Sequence, residues 1–318
     1  MPSIISITER PEDAAFGQAL AKHAKFDFVN ARRANELRKV LKDNKDAILL
    51  WDVDHPHCLE AVHPLSISNV GNVIGSMSTP DRVFVISDQA LNSTPYIFNM
   101  PYFSHHIYRQ FKDPTAEIIA YLAKACGSTD PFGLEKFMPE GTQIRKIMLK
   151  KASQRKAVVN GMTNLLGKTG TPPQLIQMAI QTTDEILMNA IFDAPLQGEN
   201  RYRRQIERNM DFELSEKECV DLELGVGKGY LAICARDHFG SLKRDSVLNF
   251  IRKNYEKQDY KVKDDDHGAG LGIYGILQSG LSLLFSSRPN VKTEVTLFIP
   301  VVKNMKSFRT SFRFFSFL

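Results

Sequence analysis

The chain has 318 residues, of which 43% are apolar and 24% are charged, as in ordinary globular proteins. This length predicts two domains. No run of about 18 apolar residues occurs, which excludes a conventional membrane-spanning helix, and the first residues predict a strand rather than a secretory signal. The net charge of +5 forms no long basic stripe with interleaved aromatic residues, so we expect no nucleic-acid partner.

The cysteines are scattered along the chain and form no CxxC pair. This spacing argues against a zinc site or a thioredoxin-type redox site. Isolated cysteines are typical of proteins in a reducing compartment, so we expect a cytoplasmic protein. The four residues are Cys58, Cys126, Cys219 and Cys234.

Strands and helices alternate over residues 1–127. Apolar runs that end in polar residues are typical of strands buried on both faces, and a helical pattern at 114–124 follows the last run. The alternation predicts a flavodoxin-like, doubly wound α/β domain. The segments predicted to form its strands include 3–8, 47–54, 82–87 and 96–99.

Polar residues end two of these predicted strands. Asp52 ends the strand at 47–54, Pro56 lies four residues later, and Ser87 ends the strand at 82–87. In this pattern the N-terminal half resembles a response-regulator receiver domain. The resemblance implies a possible site formed by Asp52, Ser87 and the acid Glu9.

Two positions depart from the receiver pattern. Thr8 stands where receivers have the first of two acids, and Met100 stands before a proline where they have a lysine. Aspartate phosphorylation needs Mg²⁺ and a cation to neutralise the phosphoryl group. We therefore expect a pseudo-receiver in which Asp52 is not a phosphoacceptor. The histidines of this half lack ligand spacing and are expected in loops or at the surface; they include His55, His57, His63, His105 and His106.

The segment 127–141 is rich in Gly, Pro and Asp and predicts a domain boundary. A basic stretch at 142–166 predicts a long helix, and the sequence GKTGTPP breaks it before a second helix. We therefore expect a linker with a basic helix over 128–174, a second domain over 175–302, and a basic, aromatic tail over 303–318.

The first motif of the second domain is TTDEILMNAIFDAP, at 182–195. Glu185 and Asn189 are four residues apart and share one helical face. The carbonyl oxygen of Asn189 is a suitable ligand for Mg²⁺, and Glu185 is placed to polarise a water or hydroxyl that attacks a phosphate. An amphipathic helix with two exposed polar residues is the alternative.

The second motif is YLAICARDHFGSL, at 230–242. It predicts an apolar strand that ends at Asp237, followed by a turn at Gly240. A carboxylate at the end of a strand can accept a hydrogen bond from the adenine amino group. Gly240 allows a close approach of the backbone to the base.

The third motif is DDDHGAGLGIYG, at 264–275, with Leu271 inside a glycine-rich loop before a predicted apolar helix. Glycines ahead of a helix expose N–H groups to phosphate. The loop lacks the Gly-Lys-Ser/Thr of a Walker motif. Its alternating glycines are Gly268, Gly270 and Gly272.

In order and spacing, the three motifs resemble the N, G1 and G2 boxes of the GHKL superfamily, which includes gyrase, a heat-shock chaperone, histidine kinases and the mismatch-repair ATPase. The resemblance implies an α/β sandwich, with helices over one face of a mixed sheet. ATP or ADP would bind with Mg²⁺ under a lid formed by residues 238–267. Asp193 and Thr296 fall at nucleotide-contacting positions of that family. The second motif lacks the second glycine of the usual Asp-x-Gly-x-Gly.

No histidine occurs between His106 and His238, so the basic helix offers no phosphoacceptor histidine in cis. Three functions stay open. They are a nucleotide-dependent switch in signalling, a serine or threonine kinase of the anti-sigma-factor type, and a kinase for a histidine of a separate protein. Whether the chain is an enzyme is left open by these motifs. Each function requires a protein partner, and we also expect a homodimer.

In the tail, Phe308, Phe312 and Phe315 share one face if the segment is helical. Packing on the protein's own body or on a second protomer is expected, rather than binding to a membrane surface.

Overall fold

The computed structural model describes residues 2–54, 70–89, 91, 104–111, 115–126, 128–196, 210–227, 229–248 and 275–318. The chain forms two compact units. Unit 1 comprises Met1–Pro131 and Phe312–Leu318, and unit 2 comprises Phe132–Ser311. No helix within the described ranges is both long enough and apolar enough to cross a membrane.

Both units are built from strands and helices. In chain order the strands are β1 (Ser3–Ile7), β2 (Asp27–Ala31), β3 (Ile48–Asp52), β4 (Val83–Ser87), β5 (His105–Tyr108), β6 (Ile144–Leu149), β7 (Val220–Gly227), β8 (Tyr230–Asp237), β9 (Ser282–Arg288), β10 (Lys292–Pro300) and β11 (Phe314–Phe317). The helices are α1 (Pro11–Ala24), α2 (Ala34–Asp43), α3 (Val70–Met77), α4 (Thr115–Ala125), α5 (Gln154–Gly167), α6 (Pro173–Met188) and α7 (Met305–Arg309).

The strands of unit 1 lie in the order β2-β1-β3-β4-β5-β11. The first five are parallel, and their order is that of doubly wound α/β domains. Helix α1 packs against α4, and α2 packs against α3. A right-handed crossover places its helix on one face of the sheet, and the face changes where the strand order reverses. The pair α1–α4 and the pair α2–α3 therefore cover opposite faces. The strands β1, β3 and β4 are buried throughout, as the apolar runs predict.

The fifth strand is not where the sequence predicts it. The segment 96–99 lies outside the described residues, and the strand beside β4 is His105–Tyr108. Both histidines are buried rather than exposed, and the His105 ring stacks on Phe84 with centroids 4.1 Å apart. Burial lowers the pKa of His106 to about 3, with a further lowering by nearby Arg313. His106 is therefore neutral at physiological pH, which lets it occupy a core strand.

The C-terminal tail is not a single helix. The short helix α7 is followed by β11, which pairs with β5 in the antiparallel direction and places Phe315 opposite His106. The Ser316 Oγ lies 2.5 Å from the His105 Nδ1. Phe308 and Phe315 are buried, whereas Phe312 is half-buried. The last residues of the tail therefore form a strand of unit 1.

The strands of unit 2 lie in the order β9-β10-β8-β7-β6. Every described pair is antiparallel, so the expectation of a mixed sheet is wrong for this part of the chain. Helix α6 packs against α5 and against strands β8 and β10. The segment 128–174 is not a linker with one long helix. It contributes β6 and α5. The basic pattern predicts a helix over the residues of β6, but their pairing with β7 makes them a strand.

Replacing Phe315 by Ala tests the role of the tail. Phe315 is 2% exposed, so we expect a loss of about 3–5 kcal/mol in the free energy of unfolding. Urea denaturation followed by circular dichroism measures it. The control is Phe312→Ala, whose half-buried ring should cost clearly less. Equal effects of the two substitutions would show that β11 does not pack as described.

Candidate functional site

The carboxyl ends of the parallel strands bring a set of polar residues together in unit 1. Thr8 follows β1, Asp52 ends β3, Ser87 ends β4, and Arg109 follows β5. Ligand sites of doubly wound domains lie at this edge of the sheet. The edge is therefore the candidate site of unit 1.

Arg109 fills the centre of this edge. Its Nε and Nη2 lie 2.8 Å and 3.1 Å from the two carboxylate oxygens of Asp13, which makes a bidentate pair. Nη2 is also 2.5 Å from Asp52 Oδ1. Nη1 lies 3.0 Å from Asp54 Oδ2 and 2.6 Å from Asp88 Oδ1. One guanidinium thus contacts four carboxylates, as its planar fork of donors allows.

The surrounding polar groups complete the cluster. The Thr8 hydroxyl lies 3.2 Å from Asp52 Oδ2 and 3.3 Å from Asp13 Oδ2. Arg10 is the second cation, with its Nε 3.3 Å from Asp52. The Ser87 hydroxyl donates to Asp54 Oδ1 over 3.0 Å. Asp52 is fully buried, and both of its oxygens are in contact with donors.

The buried charges shift the ionisation of the cluster. Burial raises the pKa of Asp13, and the neighbouring guanidinium of Arg109 only partly opposes this rise. Burial would also raise the pKa of Asp88, but Arg109 and Arg10 lower it overall. Burial alone would lower the pKa of Arg109, yet the carboxylates raise it. The guanidinium is therefore a permanent charge within the cluster.

Three residues of this site are not among those that the sequence pattern indicates. The acid that shares the cluster with Asp52 is Asp13 on the first turn of α1, whereas Glu9 is exposed. The cation comes from Arg109 after β5, not from the position of Met100, which lies outside the described residues. Asp54 was missed as well, although its position two residues after Asp52 is a visible signal. Asp52 and Ser87 lie at the predicted strand ends, and in the described residues no group of His, Cys, Asp or Glu is arranged to hold a metal ion.

In unit 2, strand β8 ends at Asp237, as the sequence predicts. Asp237 is 7% exposed, and its Oδ1 accepts hydrogen bonds from the backbone N–H groups of Phe239 and Gly240, over 2.9 Å and 3.2 Å. Burial raises the pKa of Asp237, and these two donors, the Thr293 hydroxyl and His238 oppose the rise without cancelling it. The carboxylate is thus held rigidly at the end of the strand, with Oδ2 not used by the turn.

Thr293 is the threonine that faces Asp237. In the ladder between β8 and β10, Thr293 lies directly opposite Asp237, and Thr296 lies opposite Cys234. Both threonines are buried. The strand register thus places Thr293 beside the carboxylate, and a nucleotide contact of Thr296 stays a prediction.

The structure explains why position 240 is a glycine, which the sequence alone does not reveal. Its φ is +61°, and an added Cβ would lie 2.0 Å from the backbone oxygen of Arg288. The backbone of the turn between β9 and β10 therefore occupies the space beside Gly240. The Gly240 oxygen accepts a hydrogen bond from Asn290 N over 3.3 Å. This glycine fixes the turn after Asp237 against the hairpin.

The end of α6 carries the other candidate residues of unit 2. The backbone continues beyond Met188 as a π-helical turn over Asn189–Asp193, which packs against β8. Turns of this kind are rare and are often found at functional sites. Asn189 Oδ1 is buried and has no hydrogen-bond partner in the described residues. Glu185 and Asp193, four residues to either side, are half-buried.

The glycine-rich loop lies outside the described residues. This applies to Gly268, Gly270, Leu271 and Gly272, and to most of the segment 238–267. Their roles stay predictions from the sequence.

Comparisons with known proteins add one finding. No protein-family model matches this chain, and no curated protein matches it. Among solved structures, a chain of the SiaB–SiaC complex from Pseudomonas aeruginosa is similar, with 10% sequence identity and a TM-score of 0.28. The match covers 48% of this chain and 88% of that chain. A similarity of this size assigns neither a family nor a function.

Replacing Arg109 by Met tests the cluster of unit 1. The change leaves buried carboxylates without their cation, so we expect a loss of about 3–5 kcal/mol in the free energy of unfolding at neutral pH. The loss should shrink as the pH falls. In the intact cluster the pKa of Asp88 is lowered, so ionised Asp88 stabilises the fold at pH values above the usual pKa of an aspartate. This contribution disappears as the pH falls. Urea denaturation between neutral and acidic pH measures both effects.

The matched control is Arg82→Met in the same unit. Arg82 pairs with Asp46 at 3.2 Å, but Asp46 is exposed, so the cost should stay within about 1 kcal/mol. A similar small cost for Arg109→Met would mean that the guanidinium does not hold the edge together.

Proposed function

We propose that unit 2 binds MgATP or MgADP and that the chain is a signalling protein whose nucleotide state controls a protein partner. The observation that carries the proposal is the buried Asp237 at the end of β8. Its Oδ1 is engaged by the turn, while Oδ2 is not used by it. An oriented carboxylate oxygen of this kind is a suitable acceptor for the adenine amino group.

A second observation supports the magnesium ion. Asn189 Oδ1 is buried without a hydrogen-bond partner in the described part of unit 2. Leaving a buried acceptor unsatisfied costs about 1–3 kcal/mol, and an ion that it binds would remove the cost. Mg²⁺ prefers oxygen ligands, including amide carbonyls, so Asn189 fits the ion. Bound magnesium would neutralise the charge of the nucleotide phosphates.

A switch is favoured over an enzyme by unit 1. The Asp52 carboxylate is enclosed by Arg109, Arg10 and Thr8, which supports a structural role rather than phosphate transfer. The chain also lacks a histidine between His106 and His238. The proposal therefore assigns nucleotide binding to unit 2 and no phosphoryl chemistry to unit 1.

Transfer of the γ-phosphate to a Ser, Thr or His of a partner is the second candidate. It is supported by Glu185, one helical turn before Asn189, because a carboxylate in that position could take the proton of an attacking hydroxyl.

The adenine contact is tested with Asp237→Asn and a fluorescent ATP analogue. The amide oxygen of Asn still accepts the two backbone N–H bonds, but its NH₂ group replaces the second carboxylate oxygen, an acceptor, by a donor. We expect the affinity to fall by about 1–3 kcal/mol in binding free energy, with the thermal stability retained. Thr293→Val should also weaken binding, since Thr293 lies opposite Asp237, and Thr296→Val tests the nucleotide contact predicted for Thr296. Unchanged affinity of Asp237→Asn would remove the adenine assignment.

The switch and the kinase differ in their response to Glu185→Gln. For a switch, wild type and variant both bind MgATP, neither consumes it, and nucleotide alters hydrogen exchange across residues 243–267 in both. Asn189→Ala should lose only the magnesium-dependent part of the affinity. Phosphate transfer to a partner protein that Glu185→Gln abolishes would establish the kinase instead. Hydrogen-exchange rates that do not change when nucleotide is added, in wild type and in every variant, would contradict both functions.

A further inference from the structure

Strand β6 is the outer strand of the unit 2 sheet. It pairs with β7 along one edge, and within the described residues no strand pairs with its other edge. Its four central residues, at 145–148, are all exposed, so neither face of the strand is covered there. An uncovered edge presents unpaired N–H and C=O groups that can accept another strand.

The side chains of this strand follow a defined order. Two basic residues, Arg145 and Lys146, are followed by Ile147 and Met148, which are 45% and 50% exposed. Buried Leu149 comes next, and two lysines at 150–151 follow. Because neighbouring residues of a strand point to opposite faces, each face offers one exposed apolar side chain. Basic residues lie at both ends of this apolar pair.

Two of the four basic residues in this segment form ion pairs with acids, and two do not. Lys146 Nζ lies 2.9 Å from Glu223, and Lys151 Nζ lies 3.2 Å from Glu213. Arg145 and Lys150 are exposed and form no ion pair with a described residue. The surrounding sequence offers no compensation, since residues 142–183 contain seven Lys or Arg and no Asp or Glu.

The charges disfavour a second copy of β6 as the natural occupant of the edge. Antiparallel pairing centred on Met148 would place Lys146 opposite Lys150 of the other copy. Shifting the centre to Ile147 would make Lys146 a diagonal neighbour of Lys150 of the other copy. Like charges in directly opposite positions destabilise a ladder. The edge therefore suits a strand of the opposite charge.

We propose that the outer edge of β6 binds an extended, acidic segment of a partner protein. The partner strand carries two adjacent apolar residues, which meet Ile147 and Met148, and acids on both sides of them, which meet Arg145 and Lys150. Main-chain hydrogen bonds of those residues of 144–149 that do not face β7 fix the segment, and the side chains select it. The ladder ends before Lys150, whose N and O are already bonded to Gln154 Oε1 and Leu214 N. Phosphate groups of a membrane or a nucleic acid would satisfy the cations but not the unpaired main-chain groups. The surface is independent of the nucleotide site.

The test uses the full chain and the peptide EEVVTEE, with KKVVTKK as its charge-reversed control. We expect EEVVTEE to bind and to protect amides at 144–149 from hydrogen exchange, and KKVVTKK not to bind. The double variant Arg145→Glu with Lys150→Glu should weaken binding by at least about tenfold. Neither residue has an ionic partner among those described, so circular dichroism should show an intact fold.

The matched control variant is Lys303→Glu with Lys306→Glu, which changes the net charge equally at two exposed positions away from β6. Its affinity for EEVVTEE should stay within about twofold of wild type, the remaining effect being long-range and screened by salt. Equal binding of both peptides, equal weakening by both variant pairs, or protection elsewhere would overturn the proposal. So would binding of phosphatidylglycerol vesicles or an oligonucleotide through Arg145 and Lys150 without binding of EEVVTEE.

Discussion

The contact of Arg109 with four carboxylates is the interaction on which unit 1 depends. The acids come from α1, from the end of β3 and from the residues that follow β3 and β4, so one side chain joins separate segments of the sheet edge. A bound metal ion in such a place could exchange with solvent. A guanidinium is covalently part of the chain and does not lose its proton in the physiological range. The cation at the centre of the edge is therefore permanent.

Unit 2 has the opposite character at its candidate site. The Asp237 carboxylate has an oxygen that the following turn does not use, and Asn189 Oδ1 has no hydrogen-bond partner in the described residues. Groups of this kind are costly in a core and are typical of sites completed by a ligand. The contrast between a satisfied cluster in unit 1 and incomplete groups in unit 2 supports assigning ligand binding to unit 2.

The sequence predicts those features that local pattern decides. The apolar runs before Asp52, Ser87 and Asp237 are strands, and these residues lie at the strand ends. It fails where tertiary contacts decide. Strand β5 contains two buried histidines, which no apolar pattern reveals, and for that reason the cation after it, Arg109, was missed.

Register and pairing account for the other differences. The position of Thr293 beside Asp237 follows from the ladder between β8 and β10, which the order of residues along the chain does not specify. The basic residues of β6 favour helices over strands by intrinsic preference, so only its pairing with β7 identifies it. The tail has a helical arrangement of Phe residues, but the edge of β5 makes it a strand.

The most direct measurement of the central claim is ¹⁹F NMR of the full chain with Mg²⁺ and beryllofluoride, which mimics a phosphoryl group on a carboxylate. If Arg109 closes the cluster around Asp52, only the resonances of free fluoride species should appear, at any magnesium concentration. A protein-bound resonance that is absent from Asp52→Asn would contradict the account, because it would show that the edge opens to a phosphoryl group and an ion.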